Sequence, residues 1–263
     1  MLLSEINLPD SPVSRMAPTP SGFLHLGNLL NFYLTWKLIR KSGGQLILRI
    51  DDMDASRMRP EYVAEIFRSL EFLDIDWDHG PTGVDDFFKN HSQGSKTEYY
   101  REQLENLKNS YACSCSRSQI KKESVDGKYP GTCRELNLTL QKDFSALRIR
   151  ADHLSLGDFV IWRKDDLPSY QLVSLLEDSQ QKVNFILRGE DLLASSEAQV
   201  YLAKEMEIVN FQKTQIVHHS LLRNSVGEKL SKSNSSAGLN DLKIEKNQLI
   251  AELDQLAEEI SFF

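Results

Sequence analysis

Arg15-Met16-Ala17-Pro18-Thr19-Pro20-Ser21-Gly22-Phe23-Leu24-His25-Leu26-Gly27-Asn28 is the stretch whose reading decides the fold of this 263-residue chain. Pro18, Pro20 and Gly22 within five residues stop any regular element, and an apolar helical pattern starts directly after them. Leu26, Leu29, Leu30, Tyr33, Leu34 and Leu38 keep that pattern until Ser42-Gly43-Gly44, a good helix stop. The spacing predicts a strand, a tight turn and a helix with His25 in its first turn. A helix start presents unpaired N–H groups and partial positive charge to a phosphate, and Gly27 lets a nucleotide approach the backbone. Turn chemistry by itself leaves an ordinary connecting turn equally open.

Gln45-Leu46-Ile47-Leu48-Arg49-Ile50 then reads as a buried strand. Strand, helix and strand in succession make a βαβ unit with a parallel sheet and a right-handed crossover. Ligands of such sheets sit beyond the carboxyl ends of the strands. This topology sets the segment from Arg15 to His25 beside the acidic turn Asp51-Asp52-Met53-Asp54.

Arg59-Pro60 opens a second helix that buries Val63, Ile66, Phe67 and Leu70 and ends near Asp74. Residues 74–81 are loop-like and 81–96 are rich in turn formers. A polar helix is predicted from about Lys96 to Asn109, with strands at 146–150 and 158–163, a short helix at Tyr170 to Glu177, and a strand at 183–187 leading into Arg188-Gly189-Glu190-Asp191. Ser195-Ser196-Glu197 is predicted to cap a helix reaching about Glu207, and Gln215 to His218 is a last strand. Residues 227–234 form a polar loop with two lysines. A helical tail from Asp241 carries Leu242, Leu249, Leu253, Leu256 and Ile260 on one face, which must pack on the body or on a partner. No internal repeat is present.

A chain that is 40% hydrophobic and 26% charged can bury a core without staples. Its net charge of −7 excludes a broad basic face for gripping duplex phosphates, so any nucleic-acid contact is local. Three cysteines make a poor disulfide framework, and the N-terminus lacks a basic start and a long apolar core, which points to the cytoplasm. No apolar run approaches the roughly 20 residues of a membrane span, so no membrane role is expected. Cys113-Ser114-Cys115 and Cys133, with Tyr129 four residues before Cys133, place three thiols and a phenol on one segment. Thiolates favour zinc, which takes four tetrahedral ligands, so one position is left for Tyr129; three free reduced thiols are the other reading. Any metal here is expected to be structural.

Taken together, the motifs resemble a class I aminoacyl-tRNA synthetase of the glutamyl/glutaminyl branch over roughly residues 13–240. His25-Leu26-Gly27-Asn28 is similar to the HIGH motif and Lys229-Leu230-Ser231-Lys232-Ser233 to the KMSKS loop. Residues 17–22, 49–54 and 188–191 are similar to three further stretches of glutamyl-tRNA synthetases. Within that branch the chain resembles the glutamyl-Q tRNA(Asp) synthetase group, truncated paralogues that attach glutamate to queuosine in a tRNA anticodon. Residues 234–263 follow the lysine loop, and the resemblance implies that the helical anticodon-binding domain of full-length synthetases is absent. Its cysteine segment resembles the zinc module of that group, tyrosine ligand included.

The resemblance implies an α/β fold: a Rossmann-like nucleotide-binding parallel sheet interrupted by an inserted zinc-binding module and followed by a short C-terminal helical segment. The corresponding division is 1–95 and 158–226 for the two halves of the catalytic domain, 96–157 for the insert, and 227–263 for the lysine loop and tail. It implies activation of glutamate by ATP and transfer to queuosine-containing tRNA(Asp) by a monomeric ligase, with magnesium accompanying ATP and one structural zinc held by Cys113, Cys115, Tyr129 and Cys133. His25 and Lys232 take the catalytic role on the α-phosphate; Pro18, Gly27, Asn28, Gly189, Glu190, Asp191, Lys229 and Leu230 join Lys232 around ATP. Arg15 and Arg188 pair with the carboxylates of the amino acid, Ser21 donates to one of them, Asp51 holds the ammonium group and Tyr170 lines the pocket. Read singly, Arg188 and Asp51 are equally well caps and Tyr170 core.

The chain departs from the pattern at Asp51, where the family has glutamate, at Gln171 in place of asparagine, at Glu177-Asp178 in place of two aspartates, and at Asn28 in place of the second histidine. Asp51 is one methylene shorter, which bears on substrate choice. The alternatives are a minimal glutamyl-tRNA synthetase that charges a tRNA 3′ end, a non-catalytic RNA-binding paralogue, and a ligase acting on a small-molecule acceptor.

Overall fold

The computed structural model describes residues 2–54, 56–105, 107–124, 126–222 and 245–263. Two compact units are present, one of Met1–Ser95, Val183–Leu192 and Thr214–Phe263, the other of Lys96–Lys182 and Leu193–Lys213.

The first unit is built on β1 (Val13–Met16), α1 (Leu26–Ser42) and β2 (Gln45–Leu48), with β1 and β2 parallel in the register Val13 to Gln45. His25 is the N-cap of α1 itself, with an extended backbone. At the other end Gly43 takes the left-handed conformation at φ 69°, which an L side chain resists, and the next N–H, of Gly44, returns to Ile39 O at 3.0 Å. Buried Leu29, Leu30, Phe32, Tyr33, Leu34, Leu38 and Ile39 cover more than one face of α1, so it is packed on several sides.

One of those sides belongs to the tail. Its helix, α9, runs Lys246–Glu259 and buries Leu249, Leu253 and Ala257; the earlier part of the predicted helix, including Leu242, lies outside the described residues. Asp254 on α9 accepts from Tyr33 Oη at 2.9 Å and Lys37 Nζ at 2.5 Å on α1, so the apolar tail face packs on the body of the same chain.

The helix α2 (Pro60–Phe72) starts on Pro60 as expected. Residues 84–91 are helical rather than loop, as α3 (Val84–Asp86) followed by a π-helical turn over Phe87–His91. Asp86 explains the difference, because its carboxylate accepts from Thr82 N–H at 2.8 Å and Asn90 Nδ2 at 2.8 Å while Phe87 anchors the turn in the core. The strands β6 (Phe185–Gly189) and β7 (Gln215–His219) are parallel, and Asn184 N–H donates to Val13 O at 3.0 Å, which lays the second strand pair against β1.

The second unit holds an antiparallel sheet in the order β3 (Ser110–Cys113), β4 (Ala146–Ile149), β5 (Phe159–Trp162). Its helices are α4 (Thr97–Glu102), α5 (Arg117–Glu123), α6 (Tyr170–Gln180), α7 (Leu193–Glu205) and α8 (Val209–Gln212). A division after residue 157 would fall between β4 and β5, which are hydrogen-bonded neighbours. The helix expected to reach Asn109 ends at Glu102 in a run of turns. Ser195 and Ser196 do not cap α7, because a 3-10 turn at Glu190–Leu192 starts the helical path earlier and both serines fall inside the helix. No helix among the described residues is long and apolar enough to cross a membrane.

Candidate active site and metal centre

The carboxyl end of β1 carries buried Arg15 into the Pro18-Thr19-Pro20 turn, where Ser21 N–H closes on Thr19 O at 2.8 Å. Parallel pairing continues past the strands: Arg49 N–H donates to Met16 O and Asp51 N–H to Pro18 O, each at 2.9 Å. The turn and the acidic segment are therefore neighbours, as the βαβ topology predicts. Asn28 accepts the His25 N–H through Oδ1 at 3.3 Å, so this residue caps the helix start where the family pattern has a histidine. A methyl group on Gly27 would lie 3.1 Å from the His25 ring, so glycine here makes room for that imidazole.

Asp51 was expected to take an ammonium group, and its carboxylate already has partners. Arg49 donates Nε to Oδ1 at 2.7 Å and Nη2 to Oδ2 at 3.3 Å, and Gln93 donates Nε2 to Oδ1 at 2.8 Å, all in a buried setting. Two oxygens offer about four acceptor sites, so capacity for a further donor remains. Asp52 accepts from Ser92 Oγ at 2.5 Å and Gln93 N–H at 2.7 Å, yet burial raises its pKa above the usual carboxylate range despite those bonds.

At the ends of β6 and β7, buried Arg188 lies opposite His218 in the register. Burial, then the charge of Arg188, then His219 bring His218 down to about 4. Burial also lowers His219. His219 Nδ1 lies 2.9 Å from Ser220 O, which only accepts, so that nitrogen carries the proton and Nε2 accepts from Asn31 Nδ2 at 3.1 Å. Asn31, one turn after Asn28 on α1, also donates to Leu187 O at 3.4 Å and ties α1 to both strand ends. Glu190 accepts Leu221 N–H at 3.1 Å, and a methyl group on Gly189 would lie 2.6 Å from Asp191 Oδ1. Sequence reasoning missed Arg49, Gln93, Asn31 and His219; the available signals were the His218-His219 doublet closing a strand and Arg49 standing two residues before Asp51. Lys229, Leu230 and Lys232 lie outside the described residues.

The His218 shift carries a sign. An unfolded histidine gains its proton near pH 6.5, whereas the folded one stays neutral to about 4. Its stabilising contribution is whole above about pH 6.5 and lost as pH falls towards 4, a difference on the order of 3 kcal/mol. In urea titrations at pH 7 and pH 4.5, His218→Gln is expected to narrow the gap in stability that the unsubstituted protein shows.

In the second unit Tyr170 is the first residue of α6, behind the Ser169 cap, and is 38% exposed. It lines a cavity of about 740 Å³ together with Cys113, Cys115, Tyr129 and Arg148. Glu177, at a departure from the family pattern, is buried against Lys96 Nζ at 2.9 Å and Tyr100 Oη at 2.7 Å.

The three thiol sulfurs lie within 4.8 Å of one another, and Cys115 and Cys133 are 3.4 Å apart. Tyr129 Oη is 3.3 Å from the sulfur of Cys113 and 3.6 Å from that of Cys115, and it accepts Cys133 N–H at 2.8 Å. Zinc–sulfur bonds of about 2.3 Å in a tetrahedron put sulfurs roughly 3.8 Å apart, so this donor set fits zinc in size and chemistry. Burial pushes Cys115 up to about 11 and raises Tyr129. For Cys133, burial is outweighed by hydrogen bonding with Tyr129 and Ser114 N–H, which bring it down to about 7.

The family of class I tRNA synthetases (E and Q), catalytic domain, matches residues 13–142 and 133–252. A glutamyl-Q tRNA(Asp) synthetase of Pseudomonas fluorescens is 34% identical over 252 residues, spanning 88% of this chain and 79% of the relative. One from Pseudomonas entomophila is 36% identical over 248 residues, spanning 86% and 79%. Among solved structures, the glutamate-tRNA synthetase of Elizabethkingia anophelis superposes with a TM-score of 0.74 at 21% identity. That match covers 94% of this chain and 62% of the larger protein, and carries the α/β synthetase fold alone. The parallel strands, the HLGN helix start and the family match agree: the chain is a ligase of the class I tRNA synthetases, E and Q group, and belongs to the glutamyl-Q tRNA(Asp) synthetase family.

Proposed function

We propose that this chain activates glutamate with ATP and transfers it to queuosine in the anticodon of tRNA(Asp). A glutamate carboxylate oxygen attacks the α-phosphate, the bond to pyrophosphate breaks, and an acceptor hydroxyl then takes the acyl group and releases AMP. Negative charge grows at the α-phosphate, and His25 at the α1 start and Lys232 meet it, each positioned donor contributing a few kcal/mol on general grounds. Pro18, Gly27, Asn28, Gly189, Glu190, Asp191, Lys229 and Leu230 border the nucleotide. Arg15 and Arg188 take the substrate carboxylates as planar forks, with Ser21 donating to one of them. Asp51, already oriented by Arg49 and Gln93, takes the ammonium group on its remaining acceptor capacity. Magnesium accompanies ATP, held largely by phosphates and water. Zinc on Cys113, Cys115, Tyr129 and Cys133 ties β3 to the segment that follows α5 and is structural.

The observation that supports this reading is the pair of buried arginines, Arg15 on β1 and Arg188 on β6, in a chain whose relatives carry the glutamyl-Q tRNA(Asp) synthetase name. Labelled glutamate, ATP and queuosine-containing tRNA(Asp) are expected to place label on the anticodon nucleotide. Label confined to the 3′ end would assign the chain to tRNA charging instead, and absence of both label and glutamate-dependent pyrophosphate exchange would refute the activation chemistry.

A further inference from the structure

Arg148, the third residue of β4, is buried, and its Cζ lies 4.1 Å from the centre of the Tyr129 ring. One of its nitrogens, Nη1, donates to the backbone oxygen of Asp158 at 2.8 Å. The Asp158 carboxylate does not claim this cation, since Arg134 binds it through Nε at 2.6 Å and Nη2 at 2.9 Å and Ala151 N–H donates to it at 2.8 Å. A second cation reaches the same segment: Lys164 Nζ donates to Ser114 O, between Cys113 and Cys115, at 2.6 Å. Of the other cations lining this cavity, Arg163 is paired with Asp165 and Arg117 is exposed.

This placement matters because of charge. A divalent zinc on three thiolates and one phenolate carries two negative charges in excess, and leaving such a group uncompensated away from water is costly. We infer that Arg148, assisted by Lys164, is the charge-compensating residue of the cysteine centre and sets its affinity for zinc by stabilising Tyr129 as an anionic ligand. The guanidinium faces the ring whose electron density rises when its oxygen binds metal, which is the geometry of a cation over an aromatic face. Partners behind metal ligands change affinity by about 10- to 100-fold when removed. The inference rests on the zinc assignment proposed above.

Zinc affinity of the full chain, measured by competition with a chromophoric chelator, tests it in two backgrounds. Arg148→Gln is expected to weaken zinc binding by about 10- to 100-fold in the otherwise unchanged protein and by less than about threefold in the Tyr129→Phe background. A purely structural role through Asp158 would weaken binding equally in both backgrounds, and that result overturns the inference, as does an Arg148→Gln affinity within about threefold of the parent. Arg148→Lys guards against a folding defect: it keeps the charge and is expected to hold zinc within about tenfold of the parent, with the visible spectrum of bound cobalt(II) reporting an intact tetrahedral site. A loss in Arg148→Lys equal to that in Arg148→Gln also overturns it. Failure of the parent protein to bind zinc at all would remove the zinc assignment itself, and the inference with it.

Discussion

Replacing Arg188 with alanine is expected to lower kcat/KM for glutamate in pyrophosphate exchange by on the order of 10²- to 10³-fold. The guanidinium is buried at the end of β6, so a carboxylate bound there is withdrawn from water, and truncating one member of such a pair costs about 2–5 kcal/mol. At about 1.4 kcal/mol per decade this spans roughly 1.4 to 3.6 decades, and the stated range is its middle. Arg188→Lys keeps charge but not the planar fork, so it is expected to recover only part of the loss. A second readout comes from His218, whose low pKa owes its second-largest push to Arg188 after burial. In Arg188→Ala the His218 ring titration, followed by NMR, is expected to move up from about 4. Unchanged exchange kinetics together with a moved His218 titration would show that Arg188 shapes the strand end without binding substrate.

Gly80→Ala is expected to destabilise the first unit by more than about 3 kcal/mol in urea unfolding. Residues 78–80 run along the outer edge of β2, where Asp78 N–H donates to Leu46 O at 2.8 Å and His79 O accepts Leu48 N–H at 2.9 Å. Gly80 then leaves the strand at φ 116°, a conformation open to glycine, with the site of a Cβ only 2.0 Å from Leu48 O. A methyl group there meets backbone that cannot rotate aside, so the segment must detach from β2 or β2 must shift. Gly83 is the control: an added methyl meets nothing within 4 Å, and Gly83→Ala is expected to change stability by less than about 1 kcal/mol. Because β2 leads directly to Asp51, Gly80→Ala is also expected to reduce exchange activity in protein that remains folded.

The parts of this fold that could be read from sequence are those where a local rule speaks for itself. Pro18, Pro20 and Gly22 forbid regular structure, the leucines of α1 repeat at helical spacing, and Gly43 marks its end. Pairing over long distances left no such mark: the strand at Phe159–Trp162 looks the same whether it joins a parallel or an antiparallel sheet, and it joins the latter beside β4. Helix at 84–91 was hidden because Asp85, Asp86 and Asn90 count as turn formers in isolation, while Asp86 in place organises the turn. Of the partners of Asp51, Arg49 was legible in principle, since residues two apart on an extended segment share a face. Gln93, 42 residues away, was not.

Both outer edges of the parallel strands end in a short paired stretch. On β2 it is residues 78–80, and on β7 it is Ser261–Phe263, where His218 and Phe263 exchange backbone hydrogen bonds at 2.8 and 2.9 Å and Ser220 N–H reaches Ser261 O at 2.8 Å. Exposed strand edges are templates on which a second chain can add. The stretch on β2 turns away at Gly80, and the one on β7 is held by buried Phe262. Segments outside the proposed chemistry thereby occupy strand edges beside Arg15 and Arg188 on which another chain would otherwise add.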